Sequence, residues 1–202
     1  MSEMRQRILL EATHLFARRG YEGTSVQAIS EAVGIRKPSL LYHFPSKALL
    51  RDAVLESLLS RWGSVVPRVM TAATTGENRF ESTLTEVIGF FEADPDRARL
   101  LWREMLDRPD ELRVLLSAHL SPWIGLVSST IRRGQRDGII YADLDPETWI
   151  FWVITMAVGG FSAAGLSGVL TEDTPKRRRT ELVRIARVSL FIHTSEGSLS
   201  NG

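Results

Sequence analysis

The stretch Gly34-Ile35-Arg36-Lys37-Pro38-Ser39-Leu40-Leu41-Tyr42-His43-Phe44-Pro45-Ser46-Lys47 decides the fold. It opens on a turn glycine and continues into a short helix. Pro38 falls at or near the first helical position, where its missing N–H costs little. Phe44-Pro45 ends the helix, because the residue before a proline is pushed out of the helical region. Ser46 opens a new helix with Lys47 in its first turn. Upstream, Ser25 is a good N-cap for a helix that buries Val26, Ile29 and Val33 and stops at Gly34, which can take the left-handed cap conformation. Two short helices across a glycine turn make a helix-turn-helix, whose second helix enters the DNA major groove.

The flanking residues agree. Ile8, Leu9, Ala12, Leu15 and Phe16 recur at helical spacing, which predicts an amphipathic helix over residues 4–19 ending at Gly20. Leu40 and Phe44, four apart, face inward and leave Lys37, Ser39, Tyr42 and His43 outward. Lysine can reach a phosphate or a guanine edge, and hydroxyls donate to phosphate oxygens. Lys47 lies at a helix N-terminus, where free N–H groups and the dipole favour an anion. Residues 1–50 hold seven Lys and Arg against four Glu, a net +3, and the remainder of the chain is −2. A basic amino-terminal module on a slightly acidic body is the electrostatic footprint of a DNA binder.

Residues 5–50 resemble the DNA-binding domain of the TetR family of bacterial transcription regulators. The resemblance is carried by Phe16-Ala17-Arg18-Arg19-Gly20-Tyr21, by Gly23-Thr24-Ser25, by Ala32-Val33-Gly34-Ile35 and, most specifically, by Leu40 followed by Tyr42-His43-Phe44-Pro45-Ser46-Lys47. The chain departs from the family's usual pattern at Arg36, where a small capping residue is common, and at Leu41, where an aromatic is common. The resemblance implies base-facing positions at Gln27, Lys37, Pro38 and Ser39. It implies backbone-positioning ones at Ser25, Tyr42, His43 and Lys47, with Arg36 adding positive charge beside the DNA.

Composition bounds the rest. A chain of 202 residues with 44% hydrophobic and 24% charged residues is ordinary for a soluble globular protein of one or two domains. It has no cysteine, so disulfides, thiol nucleophiles and thiolate metal sites are excluded. His14, His43, His119 and His193 are scattered without metal spacing, so no metal site is expected. No nucleophile elbow, phosphate loop or dinucleotide fingerprint occurs, which argues against an enzyme and implies no cofactor. Glu104 and Asp107, flanked by Arg103 and Arg108, are expected to form a solvated ion-pair face, not an acid–base pair. The cluster Lys176 to Arg179 is expected to be a solvated first helical turn. The amino terminus lacks the apolar core of a secretory signal, which fits a cytoplasmic protein.

After residue 46 the pattern is helical throughout. A helix is expected over residues 47–66 with Leu49, Leu50, Ala53, Val54, Leu58 and Trp62 inward, then a loop over 74–78 and a helix over 79–93. Asp94-Pro95 starts another helix, Pro109 interrupts, and a long helix follows over 110–135 that Pro122 should kink or split. Asp145-Pro146-Glu147 is a good helix start. Thr148 to Leu170 is a run of 23 residues without a charge. That run could span a bilayer by length. Its glycines, and the basic cluster after it, instead predict a helix buried on most sides within the protein, with no membrane span. A last helix is expected over 176–193, carrying Leu182, Ile185, Ala186, Ser189 and Leu190, followed by a disordered tail. Large flat side chains concentrate in this half. They predict a ligand cavity lined by Phe90, Trp102, Met105, His119, Trp123, Trp152 and Met156.

The chain is therefore expected to be all-α: an N-terminal three-helix helix-turn-helix domain over residues 1–47, a C-terminal helical effector-binding and dimerisation domain over 48–194, and a disordered tail over 195–202. The resemblance implies a homodimer, built on helices 146–170 and 176–193, that binds double-stranded DNA. The expected behaviour is that of a repressor released from a palindromic operator by a small apolar or aromatic ligand. The alternative left open is a regulator that binds DNA constitutively or answers to a protein partner.

Overall fold

Capping chemistry sets the first helix. Ser2 accepts from the Arg5 N–H at 3.4 Å and opens α1 (Glu3–Arg19), which stops at Gly20 with φ of 76°. Its buried stripe, Ile8, Leu9, Ala12 and Phe16, packs against α2 (Val26–Val33), α4 (Lys47–Met70) and α6 (Pro95–Asp107). Between α2 and α4 lies α3 (Lys37–His43), held by buried Leu40 and by Phe44 just beyond it. The remaining helices are α5 (Gly76–Glu92), α7 (Pro109–Arg136), α8 (Pro146–Ser162) and α9 (Pro175–Leu190). The computed structural model describes residues 2–70, 76–163 and 174–192, with only the backbone at 62–70 and 76–79. Among the described residues there are nine helices, and the one isolated bridge ties Ile140 to Phe191, the loop before α8 to the end of α9.

The all-α expectation holds, with local differences. α4 continues to Met70, beyond the expected residue 66, and α5 starts at Gly76, inside the loop expected over 74–78. Leu49, expected inward, is exposed, as is Ile185 of α9, while Arg51 takes an inward position on α4. α7 runs through Pro122 as one helix and is not split there. It is also the one described helix long and apolar enough to cross a membrane by length and composition, and it packs against α4, α6 and α8. The uncharged run does not form the single buried helix expected for it. α8 ends at Ser162, and Trp152 on its outer face is 57% exposed. The tail over 195–202 and the uncharged residues 164–170 lie outside the described residues.

One polar pair is sunk in this apolar packing. Arg51 of α4 is 5% exposed and Glu104 of α6 is 3% exposed. The Arg51 Nε donates to the Glu104 carboxylate at 2.9 Å, its Nη2 donates to the same oxygen, and Nη1 reaches Glu111 of α7 at 2.6 Å. Burial alone would lower the guanidinium pKa. The hydrogen bond and charge of Glu104, then those of Glu111, outweigh it and raise the pKa above its ordinary value. Glu104 is thus no solvated surface acid. It points inward because α6 packs under α1, where Arg51 of α4 reaches it, an arrangement that its own flanking arginines do not reveal. Removing one partner leaves an uncompensated buried charge. Arg51→Ala is expected to cost about 3–5 kcal/mol of unfolding free energy in a urea titration. The double change Arg51→Met with Glu104→Leu is expected to recover most of that loss.

Candidate nucleic-acid interface

The helix-turn-helix is built by backbone geometry. Ser25 Oγ accepts from the Ala28 N–H at 3.0 Å and starts α2. Gly34, at φ 77° and ψ 33°, ends it in the left-handed conformation. The Ile35 N–H then reaches the Ser30 carbonyl at 2.9 Å and the Gly34 N–H reaches Glu31 at 3.1 Å, the pair of bonds of a Schellman stop. Arg36 stands at the N-cap of α3 with no side-chain cap bond, as its departure from a small capping residue requires. Pro38 in the first turn offers no N–H and so reduces the need for a cap.

This frame leaves an exposed polar face. Ser25, Gln27, Arg36, Lys37, Pro38 and Ser39 are all exposed, and Tyr42 is 86% exposed with its ring 5.5 Å from that of half-buried His43. The Gln27 amide donates to Glu31 at 2.7 Å, which orients it along α2. Lys47 differs from the others. Its ammonium donates to the Tyr21 carbonyl at 3.0 Å and lies 4.1 Å over the Tyr21 ring, so it braces the corner between α1 and α2. Arg7 caps the end of α2 through the Val33 carbonyl at 3.0 Å, and Arg5 stacks 4.5 Å over Phe44.

A second set of ion pairs fastens this unit to the body. Arg18 meets the buried carboxylate of Asp96 at 2.8 Å, Arg103 Nε donates to the Ala17 carbonyl at 2.8 Å, and Arg108 reaches Glu22 at 3.1 Å. His14, Asp94 and Asp96 converge here with their ligand atoms within 4.8 Å of one another, although the sequence keeps them 80 residues apart. The carboxylates are already answered by guanidinium groups: Arg18 and Arg99 on Asp96, Arg97 on Asp94. An added cation would have to compete with them.

Among the described residues the body contains three mainly apolar spaces; one, of about 300 Å³ toward Ile140 and Phe191, shares Phe80, Thr83, Val127 and Trp149 with the cavity described next. A cavity of about 70 Å³ lies between α5, α7 and α8, lined by Phe80, Val127, Trp149 and Trp123 among others. A groove of about 410 Å³ runs between α6, α7 and α8, lined by Leu101, Met105, Leu116 and Phe151 among others. Ile150 and Ile154 of α8 line both. A further cleft, about 480 Å³ and more polar, lies between α1 and α4 and holds Phe90 beside Arg97.

Comparison with known proteins decides the family. Residues 8–54 match bacterial regulatory proteins, tetR family, and residues 100–179 match the tetracyclin repressor-like C-terminal domain. The transcriptional regulator RutR of Escherichia coli O157:H7 is 30% identical over 166 residues, covering 80% of this chain and 76% of that protein. The chain belongs to the TetR family. The transcriptional repressor AcnR of Corynebacterium efficiens is 29% identical over 178 residues, covering 82% of this chain and 88% of that one. The fold is shared with the ketosteroid transcriptional regulator KstR2 of Mycobacterium tuberculosis, with a TM-score of 0.74 at 16% identity over 96% of this chain and 97% of that one. As a TetR-family member the protein is a DNA-binding transcription regulator and not an enzyme.

Set against the sequence reading, the structure gathers the nine residues expected at DNA onto α2, α3 and the start of α4, with Lys47 turned inward. It does not gather the seven expected pocket residues. Trp123 lines the inner cavity and Met105 the groove, while Phe90 belongs to the polar cleft. Trp102 packs against Gly159, His119 pairs with Glu56 at 2.9 Å, and Trp152 and Met156 lie on the exposed face of α8. Phe80, Trp149 and Val153, which wall the inner cavity, were not among the residues expected to line it. In α8 the walls fall at 149, 150, 153 and 154, a helical stripe, but the opposite face is equally apolar, so spacing alone could not choose between them.

Lys47→Met is expected to lower stability by about 2 kcal/mol through loss of the Tyr21 brace. It should weaken binding to every duplex while leaving the salt slope unchanged. Melting curves and gel shifts at several salt concentrations check this. A slope lower by about one unit would instead assign Lys47 a phosphate contact.

Proposed function

We propose that this regulator is a homodimeric repressor that holds a pseudo-palindromic operator through two copies of α3 and releases it on binding a small apolar ligand. The observation that carries the DNA part is the face of α3. Its inward anchors are Leu40 and Phe44, and every other side chain named for DNA in that helix points outward or lies half-buried at its end. Gln27, Lys37, Pro38 and Ser39 are the base-facing candidates. Ser25, Arg36, Tyr42 and His43 are the backbone-positioning ones. Lys47 supports them from behind.

The dimer reading rests on exposed apolar surface. α8 presents Phe151, Trp152 and Met156, and α9 presents Ile185 and Val188. Burying such a surface against a second copy supplies the association free energy. Two recognition helices then dock in successive major grooves, roughly 34–36 Å apart. Ligand control is supported by the shared-wall cavity and groove between α6, α7 and α8. KstR2, a ketosteroid regulator by name, has the same fold.

Two experiments test this. In gel shifts, Lys37→Ala should change sequence preference, and a combined Lys37→Ala and Tyr42→Ala variant should lose at least tenfold in operator affinity. Equal binding of the variant and the parent would remove α3 from the DNA. In sedimentation, Trp152→Glu should convert a micromolar dimer to monomer and lose operator binding although α3 is untouched. A dimer that survives the change would place the interface elsewhere.

A further inference from the structure

The inner cavity between α5, α7 and α8 has one unanswered group. Trp123 lines it, is 6% exposed, and its indole N–H has no hydrogen-bond partner among the described residues. A buried donor without an acceptor is costly, so an acceptor is wanted there. Water is a poor occupant, because a buried water needs two to four polar partners. Among the described lining residues the other polar groups are Thr83, which has a partner of its own, and the Trp149 N–H, which is given to Ser189.

At about 70 Å³ the inner cavity is too small for an ordinary ligand, whereas the adjoining groove, at about 410 Å³, lies in the usual range. The partition between them consists of Ile150 and Ile154, aliphatic side chains that can change rotamer. The opposite wall, which also borders the cleft toward Ile140 and Phe191, is tied by contacts of its own. Trp149 donates its N–H to Ser189 at 2.9 Å, and Phe80 packs edge-on to Phe191 at 5.4 Å. Charge is answered at the groove's mouth as well. Arg113 pairs with Asp110 at 3.4 Å and Glu147 with Arg132 at 2.7 Å, so neither calls for a charged ligand.

We infer that the effector is an uncharged apolar molecule that fills the groove, displaces Ile150 and Ile154, and places a carbonyl-type oxygen on the Trp123 N–H. This rests on the reading that a small molecule governs DNA release, and adds its chemical class and its anchoring atom. A carboxylate is disfavoured because it would be desolvated among apolar walls with one neutral donor to meet it.

The test uses two matched sets of probes on the full-length protein. One set is flat: 2-acetylnaphthalene, 2-ethylnaphthalene and 2-naphthoate. The other is linear: 2-undecanone, undecane and decanoate. Binding is measured calorimetrically and DNA release by gel shift. At least one ketone is expected to bind saturably and release DNA, with about tenfold preference over its alkyl counterpart. The carboxylates should bind weakest. Trp123→Phe, checked for folding by circular dichroism, should abolish the ketone preference. The comparison of ketone with alkyl probe in the unchanged protein decides the matter even if that variant fails to fold. Equal binding of ketone and alkyl probes, a preference that survives in Trp123→Phe, or tightest binding by a carboxylate would each overturn the inference. Release of DNA by a carboxylate or a sugar would leave ligand control standing while this assignment falls. If no probe and no member of a broad metabolite panel moves DNA affinity, both fall.

Discussion

The Arg51–Glu104 pair is the constraint around which the molecule is arranged. Arg51 sits one residue after buried Leu50 and three before buried Val54, in a stretch of α4 that otherwise faces apolar packing. A lone guanidinium there would be prohibitively desolvated. Glu104 makes the position tolerable, and in doing so it fixes α6 against α4. Glu111 then draws in the start of α7. A hydrophobic pair of similar volume could be as stable or more so. The ionic version adds direction: its hydrogen bonds are satisfied at one register of α6 against α4, where a greasy contact would tolerate sliding.

That register positions everything on the DNA side. With α6 tied to α4 through this pair and packed on α1, Arg103 reaches the Ala17 carbonyl, Arg18 reaches Asp96, and Arg108 reaches Glu22. These bonds brace the C-terminal end of α1, where Gly20 turns the chain toward α2. The Cβ of any other residue at Gly20 would lie 3.3 Å from the Arg103 guanidinium, on a backbone whose φ of 76° already disfavours a side chain. The corner behind the helix-turn-helix is therefore set by contacts from the body as well as by its own glycines and caps.

This division explains what the sequence could tell. The helix-turn-helix was legible because its determinants are local. Ser25, Gly34, Pro38, Leu40 and Phe44 act within a few residues of where they stand, and capping, turn and spacing rules operate at that range. The junction was not legible, because its partners are 53, 78 and 86 residues apart. Glu104 read as a surface acid since its near neighbours are arginines, yet Arg103 reaches α1 and Arg108 the turn after it, not the Glu104 carboxylate. The cavity failed for a different reason. α8 is apolar on nearly all sides, so periodicity cannot separate the face of Trp149 and Val153 from that of Trp152 and Met156. Only the positions of α5 and α7 make the first pair internal and leave the second outside. One sign was available: an arginine at an inward position of α4 predicts a buried acid elsewhere, even though it cannot say which.

The same helix that carries Glu104 also borders the groove, and this joins the two halves of the molecule without any long relay. On α6, Leu101 and Met105 line the groove, Trp102 packs on Gly159 of α8, and Arg103 and Glu104 hold α1 and α4. A helix moves as a rigid element, so a shift forced on Leu101 and Met105 is felt within one turn by the residues that brace the reading head. The ion pairs make the response discrete. They are strong only at good geometry and weaken steeply when stretched or misaligned. A small displacement of α6 therefore has two outcomes, carrying α1 and α4 with it or breaking their bonds, and either one changes how α3 is presented. In the proposed ligand response, sensitivity at the DNA face follows from placing a well-satisfied polar cluster and an apolar groove on the same short helix.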